Sequence, residues 1–196
     1  MTRRLLPFLA ILSLVVAGAC AASTQSTSTS AGTSTEELFT ANYTNIGNVG
    51  ATGATPVNIR IQRWTTDDEH QRLMGVLAQK QTEGFVRELR EMKQVGSIGA
   101  PQELAYPLLY ARQTTTKDGG RRITLASDRP MSFEERVGSS VSRDYPLTWI
   151  EINVDAKGQG SGTMVLAARL RIVGDVLGIE DLSSQPAKLG DVKKVR

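Results

Sequence analysis

The chain has 196 residues, with 23 lysines and arginines against 20 aspartates and glutamates, one cysteine and one histidine. That length suits a single domain able to bury its own core without disulfide staples. No basic run is longer than a pair and none is interleaved with aromatics, which argues against nucleic-acid binding. With a single histidine and a single cysteine there is no zinc-ligand spacing, and no cofactor motif is expected either.

The first segment, MTRRLLPFLAILSLVVAGACAAS, carries Arg3 and Arg4 ahead of an apolar run over 5–16 and then Ala17-Gly18-Ala19. This is the layout of an export signal, and the run is shorter than the roughly 18–20 residues that cross a bilayer. Cleavage after Ala19 or after Ala21 would give a soluble secreted or periplasmic product. AGAC also resembles the bacterial lipobox, whose cysteine takes diacylglycerol on sulfur; it matches at Ala19 and departs at Ala17, where a larger aliphatic residue is usual. Lipidation of Cys20 is the favoured reading, because an unpaired thiol is a liability in an oxidising compartment. The membrane is then a partner through that lipid. Loss of Arg3 and Arg4 lowers the 23 basic residues to 21 against 20 acidic ones, so the mature charge is nearly balanced. Residues 1–19 are read as the signal, 20–36 as a Ser/Thr-rich disordered tether, and 37–196 as one globular domain.

Within that domain, ELFTANYTN alternates Phe39, Ala41 and Tyr43, and TPVNIRIQRW alternates Val57, Ile59 and Ile61, the period of half-buried strands. Thr66 and Glu69 then form a capping box, followed by Leu73, Met74 and Leu77 on one face; Thr82 can cap a second run bearing Phe85, Val86, Leu89 and Met92. Residues 66–94 therefore predict a helical hairpin. LLYARQTTT and RRITLAS flank a Lys117-Asp118-Gly119-Gly120 turn, in a register that sets Leu109, Ala111 and Gln113 on the face of Ser127, Leu125 and Ile123. A later hairpin, TWIEINV against TMVLAARLRI, is read as centred on Gly160. That pairs Ile150 with Leu170, Ile152 with Ala168 and Val154 with Leu166, and sets Glu151 opposite Arg169 and Trp149 opposite Arg171. A short strand over 179–182 and a tail ending KKVR close the chain.

Chemistry is sparse. His70 stands beside Asp67, Asp68 and Glu69, which the dipole of the helix start already explains, so an exposed helix-surface histidine is expected. Gly158, Gly160 and Gly162 lead into a strand rather than a helix, so they mark a turn and not a phosphate loop. The segment 127–147 concentrates charge, and from it and its neighbours Asp128, Arg129, Glu134, Tyr145, Trp149 and Arg171 emerge as candidate ligand-binding residues. Nothing forms a catalytic set.

The stretches RWTT, DGGRRITLASDRP, RDYPLTWIEINVD and GSGTMVLAARL together resemble an uncharacterised bacterial exported protein family. The resemblance spans most of 37–192 and implies a globular exported domain, with no catalytic residue to carry over.

The expected fold is α+β: a curved antiparallel sheet of about seven to eight strands, barrel-like, with the 66–94 hairpin packed on it. The expected role is an exported, lipid-anchored, noncatalytic binding or accessory module of the cell envelope, whose partner is an envelope protein or a small ligand. The alternative is a periplasmic or secreted hydrolase using Asp128, Arg129, Glu134 and Glu151.

Overall fold

Strands at both ends of the domain and through its middle alternate large apolar and polar residues, and such strands are stable only when the apolar side is enclosed. The computed structural model describes residues 36–45, 53–131, 144–173, 176–182 and 185–196. It encloses them by curling one antiparallel sheet almost into a barrel. In chain order the elements are β1 (Glu37–Thr44), β2 (Thr55–Ile61), α1 (Asp67–Arg90), β3 (Gly96–Gly99), β4 (Tyr106–Leu108), β5 (Tyr110–Thr115), β6 (Arg121–Ser127), β7 (Leu147–Val154), β8 (Gln159–Val173), β9 (Val176–Asp181) and β10 (Ala187–Lys194). The sheet therefore has ten strands among the described residues, more than the seven or eight expected. Their order is β4-β3-β2-β1-β10-β8-β7-β6-β5, with β9 added to β8.

The two ends of this sheet meet because β4 and β5 are separated only by Leu109. Leu109 N–H donates to the Ala126 carbonyl at 2.9 Å, Val95 N–H to that of Leu108 at 2.8 Å, and Thr65 N–H to that of Ala111 at 2.8 Å. The Thr65 hydroxyl accepts from Ala111 N–H at 2.9 Å. These bonds cover the facing ends of β4 and β5, while β9 pairs with β8 alone.

Inside, the expected alternation of β1 and β2 holds: Phe39 lies opposite Ile59 and Ala41 opposite Val57. These side chains are buried together with Ile98, Ile123, Leu125, Ile150, Ile152 and Met164. The interior is thus a side-chain core. Outside, β1, β2 and β6 present Thr40, Asn42, Asn58, Arg60, Arg122 and Thr124, on the positions that alternate with the core set. Apolar inside and polar outside is the reverse of barrels that cross membranes. No helix among the described residues is long and apolar enough to cross one.

The β5–β6 hairpin has the expected register, with Ala111 opposite Leu125 and Gln113 opposite Ile123. The β7–β8 hairpin does not. Val154 pairs with Gly160, Ile152 with Gly162 and Ile150 with Met164, a six-residue displacement from the reading centred on Gly160. The turn lies earlier because Asp155 Oδ1 accepts from the backbone N–H groups of Lys157 at 2.8 Å and Gln159 at 2.9 Å, while Gly158 takes φ +76°. Gly160 falls in the strand instead, where a side chain would overlap the Asn153 carbonyl. Farther along, Leu147 pairs with Ala168 but Trp149 with Val165, so β8 spends an extra residue there. This bulge turns Ala168 and Leu170 away from the barrel core and toward the helix.

α1 begins with the expected capping box, Thr66 and Glu69 satisfying each other's backbone N–H groups. It is interrupted at Gln81, whose φ of 54° and ψ of −159° are not helical. Arg72 and Glu88 form an ion pair at 2.5 Å, although 16 residues of straight helix would set them about 24 Å apart. The two arms therefore fold back on each other, as the hairpin expectation requires. Gly84 lies at the bend, where a methyl would come within 3.1 Å of Val76 Cγ1. Leu73, Leu77, Phe85 and Leu89 form a second core with Ala126, Trp149, Ala168 and Leu170 on the outer side of β6–β8. Thr82 is buried, and its role differs from the helix cap expected. Its hydroxyl donates to the Leu170 carbonyl at 2.6 Å and accepts from Leu170 N–H at 2.9 Å, occupying the β8 edge beyond the start of β7.

At the other end of the barrel, Glu37 points inward and is 7% exposed. Arg121 reaches it across the barrel with two bonds, 3.1 Å to Oε1 and 3.0 Å to Oε2. Lys194 adds a contact at 3.4 Å. The chain enters the domain at this end, next to β10 and the β7–β8 turn.

Candidate functional site

The residues named from sequence are dispersed and largely paired. Asp128 is buried and receives Arg90 Nε and Arg129 Nε, each at 3.2 Å. Arg171 binds Glu180 at 2.9 Å, so the pairing with Trp149 does not form. Trp149 is 3% exposed. It lies under α1 and stacks on Tyr110 with ring centroids 6.0 Å apart, and its Nε1–H reaches Glu151 Oε1 at 3.4 Å. No face of its ring is left for a ligand. Glu151 lies opposite Thr124 and Thr163, not Arg169, and Thr124 precedes Asp128 by four positions, about 13 Å along a strand. Asp128 and Glu151 thus share no centre. Tyr145 is half-buried at the approach to β7. Glu134 and Cys20 lie outside the described residues.

His70 is half-buried instead of exposed, because the first arm of α1 crosses β5. Tyr110 holds its hydroxyl 2.9 Å from His70 Nδ1. Burial pushes the Tyr110 phenol up to about 12, so the hydroxyl stays protonated; it donates to Nδ1 in the Nε2–H tautomer and accepts from it in the Nδ1–H tautomer. Burial foremost, then the charge of Arg112, lowers the His70 pKa from its ordinary 6.5, and Asp67 opposes this. Asp67 is itself held by Arg112 at 2.8 Å.

A stability dependence on pH follows from that depression. The unfolded chain protonates His70 first as pH falls, so the contribution of the neutral ring is full above 6.5 and is lost as pH drops through the depressed folded value. The urea midpoint is expected to fall between about pH 7.5 and about pH 5, and His70→Gln is expected to flatten that part of the decline. An equal decline in both proteins would assign it elsewhere.

The structure places an open space at the bend of α1, a location that sequence reasoning missed. A cavity of about 350 Å³ is bounded by Lys80, Gln81 and Glu83, by Arg169 of β8, and by Asp144 and Pro146 leading into β7. Three local features build it. Gln81 reverses the helix in a backbone region that is costly for any residue with a Cβ. Thr82 clamps the bend to Leu170. Glu180 lies directly opposite Arg169 but gives its carboxylate to Arg171, so Arg169 faces the cavity with no ion-pair partner among the described residues. Lys80 and Glu83 likewise have none.

The cavity wall contains no reactive pair. Its hydroxyl, Thr82, uses both donor and acceptor on Leu170, and His70 belongs to the Tyr110 contact. Among the described residues no three His, Cys, Asp or Glu side chains are grouped to hold a metal. The arrangement can hold a polar molecule by charge and hydrogen bonds. Compared with protein-family models, with curated proteins and with solved structures, the chain matches none.

Proposed function

We propose that the protein is an exported, noncatalytic ligand-binding module of the bacterial cell envelope, anchored through lipid on Cys20 and binding its ligand in the cavity at the α1 bend. One observation carries the reading: Asp128 is committed to Arg90 and Arg129 and shares no centre with Glu151, while Lys80, Glu83 and Arg169 surround open space. Charged side chains around a cavity, with no nucleophile held by a base, suit retention better than turnover.

The anchor fits the geometry of the chain entry. The described chain begins next to Glu37, at the end of the barrel opposite the start of β7 and the α1 bend, so an anchor joined there would leave the cavity facing away from the membrane.

Equilibrium dialysis of the mature protein against a small-molecule extract of its host envelope, read by mass spectrometry, tests the function. Retention of a compound recovered chemically unchanged is expected. Conversion of the compound by the wild-type protein, with loss of conversion in a point variant, would replace binding with catalysis.

A further inference from the structure

We infer that the cavity at the α1 bend takes a small zwitterion, a free amino acid or short peptide, with its carboxylate toward Arg169 and Lys80 and its ammonium toward Glu83. The inference rests on the binding reading above and names the ligand class for the same cavity.

Charge is the first ground. The wall brings two cations, Lys80 and Arg169, together with the carboxylate of Glu83. A purely anionic ligand would meet Glu83, a purely cationic one would meet Arg169 and Lys80, and an apolar one would strip water from all three without return. A molecule with both charges pairs with both signs. Arg169 is suited to the carboxylate, because a guanidinium offers two parallel N–H donors to two oxygens. Its own cross-strand neighbour, Glu180, is already taken by Arg171.

Size is the second ground. About 350 Å³ lies at the lower end of ligand pockets, which run from roughly 300 to 1,000 Å³. That accommodates an amino acid or a short peptide.

Strain is the third. Gln81 occupies φ 54°, ψ −159°, beside the region that glycine alone enters freely. A glycine there would make the same bend with less strain, but it would remove the amide side chain from the cavity wall. The position therefore carries a side chain at a cost to the fold, which is common where the side chain serves a site.

Calorimetric titration of the mature protein with the proteinogenic amino acids and with dialanine tests the proposal, and separates free amino acids from peptides. At least one is expected to bind. For that ligand, the amide, which lacks the carboxylate, and the N-acetyl derivative, which lacks the ammonium, are each expected to bind about 10- to 100-fold more weakly. Arg169→Met is expected to weaken the parent by a similar factor. Gln81→Gly is expected to raise the urea midpoint while weakening binding, which excludes loss of folding as the cause.

If no zwitterion binds, or if the amide binds as well as the acid, the ligand class is wrong. If compounds are retained in dialysis and Arg169→Met does not reduce their retention, the cavity itself is wrong. Retention that depends on Arg169 without zwitterion binding would leave the cavity standing and overturn only the ligand class.

Discussion

Trp149→Ala is expected to destabilise the protein by about 3–5 kcal/mol, the usual range for truncating a buried tryptophan. The indole is 3% exposed and lies between the sheet and α1, with Tyr110 stacked on it and Val165 directly opposite on β8. The ring joins the second core to the barrel, so without it the helical hairpin should loosen first. Urea unfolding gives the magnitude, and hydrogen exchange gives the location. Faster exchange confined at first to residues 67–90, with the barrel strands still protected, is the expected pattern. Trp149→Phe keeps most of the apolar area and should cost much less. A near-neutral Trp149→Ala would mean that the ring is free at the surface, as a ligand-binding role would require.

The second large effect is at the other end of the barrel. Glu37→Ala leaves Arg121 and Lys194 facing one another where a carboxylate had joined them. Breaking a buried pair by removing one partner costs about 3–5 kcal/mol. Arg121 is 25% exposed and Lys194 33%, so water relieves part of this, and about 2–3 kcal/mol is expected. Arg121 keeps one neutral acceptor, Gln113 Oε1 at 2.8 Å. Because the loss comes mainly from the uncompensated cation, Glu37→Leu combined with Arg121→Met should recover much of it. A double variant as unstable as Glu37→Ala would show that the pair contributes by direct attraction instead.

The surroundings of Trp149 are only partly legible in the sequence. Its place in a strand is plain, but its cross-strand partner is not, because the bulge in β8 preserves the alternation pattern while changing the face. Ile150, Ile152 and Val154 on β7 and Leu166, Ala168 and Leu170 on β8 all have the same parity. The simplest pairing puts all six together, whereas three residues of β8 opposite two of β7 send Ala168 and Leu170 to the helix. Asp155, whose side chain caps the turn, is the available signal for the true register.

A similar interruption hides β10. Ala187 and Leu189 alternate, but Asp191 at φ 49° shifts the register so that Val192 is the next inward residue. The charged tail ending KKVR therefore belongs to a central strand between β1 and β8. β3 and β4 are too short for any periodicity to register, at 4 and 3 residues. β1, β2 and the β5–β6 hairpin are legible because regular alternation and a compact turn agree.

The cavity is not legible at all. Gln81 gives no local signal for positive φ, since glutamine is a good helix former and stands between two runs of helical pattern. The positioning of Arg169 depends on which of two arginines Glu180 binds, a choice made only in three dimensions. The half-burial of His70 escapes the sequence because the crossing of α1 over β5 cannot be read from the helix alone.

The most direct test of the tethered-module account is the intact mass of the mature protein recovered from the membrane and soluble fractions of its own host. The account predicts a membrane form that begins at Cys20 and carries the added mass of a diacylglyceryl group, moved to the soluble fraction by Cys20→Ser. A wild-type protein found soluble, beginning at Cys20 or Ala22 with no lipid mass, would contradict it.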